Sequence, residues 1–281
     1  MKSRNPLLFS FVVIMGISLL FSEKGWTKGL EIQRFRSPVK SLSGDSMITV
    51  VRIDPRQYDF RLLCASEHGK KRRTVKEWAQ EFGLVGAFNA GMFQKDGFTS
   101  TGYMKNFDHV NNPRINSTYH SLFVFNPREP SLPPVQMIDR ECEGFNLVSS
   151  KYRSAVQNLR MISCTRENVW RPQPKRSSIV SMGLDGKGQI LVLFSRSSYS
   201  VHEFINILLG LDIDIQRAMY LEGGPEASLY VKQGEKELSL VGGFEAVFIE
   251  SDRQDTFWPI PNVIGIVSKN DRSRPCATSP E

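Results

Sequence analysis

The segment SSIVSMGLDGKGQILVLFS (177–195) decides the fold, because it has the pattern of a β-hairpin. Two apolar runs, each long enough to be a strand, are separated by the turn GKG. The next segment, SVHEFINILLGL (200–211), is predicted to be a helix, since Phe204, Ile207 and Leu208 fall on one helical face. A strand pair followed by a packed helix indicates a chain that combines sheet and helix.

The rest of the chain extends this pattern. Further strands are predicted at MITVVRID (47–54), YDFRLLCAS (58–66), LVGAF (84–88), SLFVFNP (121–127), RAMYLEGG (217–224) and EAVFIES (245–251), with a hairpin at ASLYVKQGEKELSLV (227–241) and a second helix, capped by Thr74, at VKEWAQEFG (75–83). Strands dominate, so the predicted fold class is α+β, with mixed and largely antiparallel twisted sheets and a few flanking helices. We expect a single domain over residues 30–268 and a frayed tail over 269–281.

Composition limits the classes of partner. The chain has 281 residues, of which 40% are hydrophobic and 23% are charged, as is ordinary for a globular protein. Its net charge is +7, part of it from the local run KKRR (70–73), and no basic stripe interleaved with aromatic residues is present. We therefore expect no nucleic-acid partner, and the charge favours an anionic substrate or surface.

The N-terminus is typical of a secretory signal. Lys2 and Arg4 precede the uncharged apolar run PLLFSFVVIMGISLLF (6–21), which ends before Glu23. Residues 1–22 are therefore predicted to direct export, to the periplasm, the envelope or the medium. A retained signal anchor is the alternative, and the membrane would then be contacted through this segment alone.

The four cysteines, Cys64, Cys142, Cys164 and Cys276, have no C-x-x-C spacing and no paired histidines nearby. A zinc site is therefore disfavoured, and we expect no metal and no cofactor. In an oxidising compartment the cysteines could form two disulfides in any of three pairings, and the alternative is buried thiols. The segment between Cys142 and Cys164 is expected to be irregular. The histidines, His68, His109, His120 and His202, are scattered and are expected to have no function.

Two turns share an unusual arrangement. NAGMF (89–93) follows an apolar run, and YLEGGPEASLY (220–230) places a carboxylate and two glycines after another. Each turn alone is more often merely structural, and Arg176 alone is more often a surface charge. Their joint order at strand ends favours one shared site, in which the two turns face each other.

The ordered set NAGMF, STGYMKN (100–106), AVQ (155–157), the 176–195 hairpin and AMYLEGGPEASLY resembles the phosphodiester glycosidase family, the domain of the uncovering enzyme and its bacterial relatives. The resemblance covers about residues 45–250. In that family an Asn-Gly/Ala-Gly turn, an Arg that opens the hairpin and an Asp-Gly-Gly-x-Ser turn recur in this order. It implies a hydrolase that cleaves a sugar from a phosphodiester. This chain departs from the family in carrying Glu222 for Asp, Asn158-Leu159-Arg160 for a Gly-Pro step, and YHSLF (119–123) for Gly-Asn-Phe.

The candidate site residues follow from this chemistry. Glu222 is expected to act as general base or nucleophile, Arg176 to hold the phosphate and Asn89 to bond a sugar hydroxyl or position water. Substrate-binding positions are predicted at Gly91, Gly102, Gln157, Gly223, Gly224 and Ser228, the glycines because they let backbone N–H groups approach phosphate oxygens. The partner would be a small or polymeric sugar phosphodiester. A hypothesis from another class is a non-catalytic binder of anionic glycan that uses the same cleft.

Overall fold

A computed structural model describes the backbone of residues 21–22 and then residues 28–144, 150–243 and 256–269. The strands are β1 (Phe21–Ser22), β2 (Leu30–Arg36), β3 (Met47–Ile53), β4 (Tyr58–Cys64), β5 (Gly86–Asn89), β6 (Met104–Asn106), β7 (His109–Asn112), β8 (Ser121–Pro127), β9 (Val135–Asp139), β10 (Tyr152–Asn158), β11 (Arg160–Ile162), β12 (Ser177–Asp185), β13 (Ile190–Tyr199), β14 (Ile215–Gly223), β15 (Ser228–Gln233), β16 (Lys236–Val241) and β17 (Asn262–Ser268). The helices are α1 (Val75–Glu81), α2 (Val201–Gly210) and a 3-10 turn (Gly224–Glu226).

These strands form three sheets. The first has the order β1-β2-β3-β13-β12-β14-β11, the second β7-β6-β10-β8-β9 and the third β16-β15-β5-β17-β4. Every paired neighbour runs antiparallel. The α+β prediction, with largely antiparallel sheets in one domain, is confirmed.

The main core lies where the three sheets face one another. Phe194 and Met219 come from the first sheet, Phe123 from the second, and Phe60 and Leu229 from the third, and all are buried in one cluster. The Phe60 and Phe123 rings meet edge to face with centroids 5.6 Å apart. Burial of side chains of this size contributes about 1.5–3 kcal/mol each. This shared core fixes how the strand ends of different sheets lie relative to each other.

The two α-helices that the structure describes begin where the sequence predicted. Thr74 and Ser200 each cap a helix through a capping box, in which the hydroxyl accepts from the third residue's N–H and that residue's carboxylate, Glu77 or Glu203, accepts from the cap N–H. Helix α2 packs on the outer face of the first sheet, and α1 packs on the third. The capping box of α2 places Glu203 beside the start of the 176–195 hairpin.

The cysteines differ in part from the prediction. Cys142 and Cys164 form a disulfide, one of the pairs that the sequence left open. Cys64 is buried as a free thiol, so the prediction of a second disulfide that includes Cys64 is wrong. Cys276 lies outside the described residues. The prediction of an irregular segment between the bonded cysteines is also wrong, because β10 and β11 lie there. Strand β10 was missed because its buried positions include polar residues, so it shows no apolar alternation.

Some predictions fall outside the described residues: EAVFIES, most of the tail, and the leader apart from the backbone of β1, which pairs with β2. Among the residues that the structure describes, no helix is long and apolar enough to cross a membrane.

Candidate active site

The structure confirms that the two turns meet. Strands β5 and β15 are antiparallel neighbours, and Asn89 lies opposite the start of β15. Its Nδ2 donates to the carbonyl oxygen of Glu226 at 2.9 Å, and its Oδ1 accepts from the N–H of Ser228 at 2.8 Å. The Asn89 side chain is 1% exposed, so its amide is committed to the main chain. Asn89 therefore ties the turns together, which is a positioning role.

Glu222 lies near the end of β14, opposite Val180 of β12. Its Oε1 accepts from the N–H of Gly223 at 3.1 Å. The residue is half-buried, and protein surrounds the carboxyl group closely enough for burial to raise its pKa from 4.5 to about 8. The Glu226 carboxylate raises this pKa further, and the nearby Lys175 lowers it. At neutral pH the Glu222 carboxyl is therefore mostly protonated.

Glu226 is a second carboxylate that sequence reasoning missed. It follows Glu222 by four positions, and the 3-10 turn folds it back toward the same place. Its charge raises the pKa values of both Glu222 and the Tyr220 phenol. The bond from Asn89 holds its backbone, so the turn that carries it is fixed. Glycosidases usually use two carboxyl groups that lie in different environments.

The cation beside Glu222 is not the predicted one. Arg176 stands at the opening of the hairpin as expected, but its Nη2 donates to Oε1 of Glu203 at 2.6 Å. This contact, made with the capping residue of α2, offsets the Arg176 charge. Lys175, the exposed preceding residue, is the cation that acts on Glu222. Lys175 was not predicted from the sequence, because the family pattern pointed to the next residue, Arg176.

Gln157 and Gly102 form a structural pair. Oε1 of Gln157 accepts from the N–H groups of Tyr103 and Asn116, and Nε2 donates to the carbonyl groups of Asn116 and Tyr119. These four bonds use the whole capacity of a buried amide. Gly102 is pressed against the carbonyl oxygen of Gln157, where a Cβ would collide. The two residues thus support the second sheet and leave nothing free for a ligand.

The glycine and serine positions of the second turn are packed closely. Gly224 has φ +70°, which favours glycine, and Gly223 lies directly under the hydroxyl of Tyr220. The Ser228 hydroxyl donates to the Glu226 carbonyl at 2.9 Å and is buried, so it belongs to the turn. Tyr220, which the sequence analysis did not select, covers the glycines beside Glu222.

A cavity of about 410 Å³ lies on the Trp170 side of Tyr220, and the residues that line it do not include Asn89, Glu222 or Glu226. Trp170 lines it and packs against Tyr220 with ring centroids 5.9 Å apart. Leu159, another lining residue, accepts the Tyr220 N–H at 2.9 Å. The exposed Arg171 adds positive charge. A larger cavity of about 850 Å³ lies at the other end of β12 and β14, around Leu184 and Arg217, and is separate from the two turns.

A model of the phosphodiester glycosidase family matches residues 82–267, about two thirds of the chain. The chain belongs to the phosphodiester glycosidase family. The match spans both turns, and it places this protein among the enzymes that remove a sugar from a phosphodiester. Counted along the family's Asp-Gly-Gly-x-Ser turn, Glu226 occupies the position of the serine. That spacing was the signal by which the sequence could have drawn attention to Glu226.

Solved structures share the fold of this glycosidase. One is the catalytic domain of zebrafish N-acetylglucosamine-1-phosphodiester alpha-N-acetylglucosaminidase, auto-inhibited by its pro-peptide, with a TM-score of 0.58, 12% identity, and coverage of 88% of this chain and 86% of that one. Another is a hypothetical protein from Synechocystis, with a TM-score of 0.57, 13% identity, and coverage of 87% and 63%. No curated protein sequence is significantly similar to that of the glycosidase.

Gly91→Ala is expected to disrupt the first turn of the glycosidase. Gly91 has φ +146°, and a Cβ would collide with the side chain of Asn158, whose Nδ2 donates to the Ala90 carbonyl. Strained backbone of this kind costs about 1–3 kcal/mol before the collision is counted. We therefore expect the free energy of unfolding, measured in urea, to fall by at least about 2 kcal/mol.

Gly69→Ala is a control for positive φ without a collision, because Gly69 has φ +71° and open space around it, although its left-handed backbone is less strained for alanine than that of Gly91. In this variant the free energy of unfolding should fall only by the cost of the strained backbone. Equal losses for the two variants would show that the contact with Asn158 does not matter.

Proposed function

We propose that this glycosidase is an exported hydrolase that cleaves a sugar-1-phosphodiester, in an envelope polymer or its fragments, into the free sugar and a phosphomonoester. Glu222 acts as the proton donor and Glu226 as the ionised partner. The observation that carries this proposal is that protein encloses the Glu222 carboxyl, with the Glu226 carboxyl group and Lys175 close enough to act on its pKa. The raised pKa favours the donor role over the base or nucleophile role inferred from sequence.

The reaction breaks the bond between the anomeric carbon and the bridging oxygen. Glu222 gives its proton to that oxygen, which leaves with the phosphorus as part of the phosphomonoester. Positive charge develops at the anomeric carbon, and the Glu226 carboxylate stabilises it. A water molecule then bonds to the carbon through its oxygen and gives a proton to Glu226. Proton exchange with solvent restores both carboxyl groups.

The phosphate would lie on the cationic side of the corner. A departing phosphomonoester carries more negative charge than the diester, so it gains from nearby positive charge. Lys175 can supply that charge as a flexible point cation, in contrast to Arg176, which is held by Glu203. The packed rings of Trp170 and Tyr220 provide an apolar surface on which the face of a sugar ring can rest.

Export is supported by two observations. The Cys142–Cys164 disulfide is of a kind that persists in oxidising compartments. The sequence over residues 1–22 has the basic start and apolar run of a secretory signal. Mass spectrometry of the N-terminus of protein recovered from a periplasmic extract tests this, since export with cleavage predicts loss of about the first 22 residues.

The reaction is tested with a panel of glycosyl phosphodiesters that differ in sugar, anomer and second alcohol. The purified protein is expected to release sugar and phosphomonoester in equal amounts from at least one of them. Binding to panel members by calorimetry without release from any would contradict the proposal, and it would favour the non-catalytic glycan binder instead.

A further inference from the structure

A second cluster of reactive side chains brackets the first turn in the sequence, with two members before residues 89–93 and one after them. Cys64 ends β4, Glu67 lies in the following turn and His109 begins β7. One ligand atom from each, the thiol sulfur, a carboxylate oxygen and an imidazole nitrogen, lie within 4.8 Å of one another. The sequence hid this cluster, because Cys64 and His109 are 45 positions apart and come from different sheets.

The surrounding residues hold these groups in place. The Ser66 hydroxyl is 2.9 Å from Nε2 of His109, and Asn111 Nδ2 donates to the same hydroxyl at 2.9 Å. Asn106 Nδ2 donates to Oε2 of Glu67 at 3.1 Å. Outer contacts of this kind orient the ligands of protein metal sites.

His68 gives an independent sign of a missing partner. Its Nε2 is buried and has no hydrogen-bond partner, although it lies 3.8 Å from Oε2 of Glu67. Buried polar atoms normally have a partner, so an unpaired one calls for an explanation.

We propose that Cys64, Glu67 and His109 form a binding site for Zn²⁺. His68 Nε2 lies outside this converging group and would have to move to become a fourth ligand. Thiolate, imidazole and carboxylate are the groups that bind zinc in proteins. With bonds of 2.0–2.3 Å, tetrahedral ligand atoms are about 3.6 Å apart, so the three groups need to close by only about 1 Å. On binding, the thiol proton of Cys64 passes to solvent and the sulfur bonds to the metal.

Such an ion would join the third sheet to the second, because β4 and β7 belong to different sheets. Its expected role is therefore stabilisation, and the proposal is independent of the reaction at Glu222. Met104 Sδ is 3.8 Å from the Cys64 sulfur, on the apolar side. Thioether ligands suit Cu(I) rather than zinc, so the two metals can be told apart through Met104.

The test is titration of the chelator-treated, tag-free protein with ZnCl₂, followed by calorimetry. To leave Cys64 as the free thiol, all variants are made in a Cys276→Ser background, which is compared with the natural chain. One zinc per chain is expected, together with a rise in Tm of roughly 5–10 °C at a hundredfold excess over Kd. Co²⁺ should give a thiolate charge-transfer absorption band.

Cys64→Ser and His109→Gln should each weaken zinc binding by at least about 100-fold, since loss of even an outer contact costs 10–100-fold. His120→Gln is the control, because His120 pairs with Glu141 elsewhere. Met104→Leu should leave zinc affinity unchanged. Less than one zinc per wild-type chain, or unchanged affinity in both ligand variants, would overturn the proposal, and so would a preference for Cu(I) that depends on Met104.

Discussion

Glu222→Gln is expected to lower kcat by about 10²–10⁴-fold, the usual contribution of a positioned proton donor. Glutamine keeps the shape of the side chain and can still accept from the Gly223 N–H, so the turn should remain intact. What it loses is the proton that the leaving phosphate oxygen needs. The measurement is phosphomonoester release under saturating substrate, with binding checked by calorimetry.

The same variant is expected to be more stable than the wild type at neutral pH. The pKa of Glu222 is raised in the folded protein, so folding binds a proton that the unfolded chain releases, and stability falls as pH rises from 4.5 to about 8. Glutamine removes this penalty, which is about 3 kcal/mol at pH 7. In urea unfolding the advantage should vanish at pH 4.5 and below.

Glu237→Gln is the matched control for Glu222→Gln. Glu237 lies on β16, where its carboxylate pairs with Lys76 at 2.7 Å. It should leave kcat unchanged. Because Lys76 lowers the pKa of Glu237, its effect on stability should be confined to acid pH and should not reproduce the gain expected of Glu222→Gln between pH 4.5 and 8. Retention of activity within tenfold by Glu222→Gln, or loss of activity accompanied by unfolding, would contradict the role assigned to Glu222.

Asn89→Leu is expected to give the second largest effect. The substitution leaves the buried N–H of Ser228 without a partner, while the Glu226 carbonyl keeps one bond from the Ser228 hydroxyl. An orphaned buried group costs about 1–3 kcal/mol, and the second lost bond adds about 1 kcal/mol. Because the turn that carries Glu226 is released from β5, kcat per folded molecule should also fall, by at least about tenfold.

Asn112→Leu separates these two consequences. Asn112 is also a buried amide with two main-chain bonds, to the Ser100 carbonyl and the Arg114 N–H, but it lies on β7. It should cost similar stability without changing kcat per folded molecule. If the Asn89 and Asn112 variants had the same kcat, the junction of the two turns would have no bearing on activity.

The elements of this fold that sequence could predict are those with local signals. The 177–195 hairpin, α1 and α2 were predictable because turn glycines and the capping residues Thr74 and Ser200 mark their ends. Strand β10 was not, since Gln157 and Asn158 are buried through hydrogen bonds to distant main-chain groups. Burial of polar residues depends on partners that the local sequence does not show.

The same distinction applies to the site. The meeting of the two turns was predictable, because each follows an apolar strand and the two share a family order. The pairing of Arg176 with Glu203 was not, since a capping residue of α2 supplies the partner. The effect of Glu226 and Lys175 on the pKa of Glu222 was not predictable either, because it depends on how the 3-10 turn and the start of the hairpin converge. Charge interactions of this kind exist only after folding.

The most direct test of the account is titration of the Glu222 carboxyl carbon by ¹³C NMR, with the signal assigned by its absence in Glu222→Gln. A pKa of about 8 is expected for Glu222 in the wild type. Glu226→Gln removes a repelling charge and should lower this pKa, whereas Lys175→Gln removes an attracting charge and should raise it. A wild-type pKa near 4.5 that neither substitution moves would contradict the assignment of Glu222 as the proton donor.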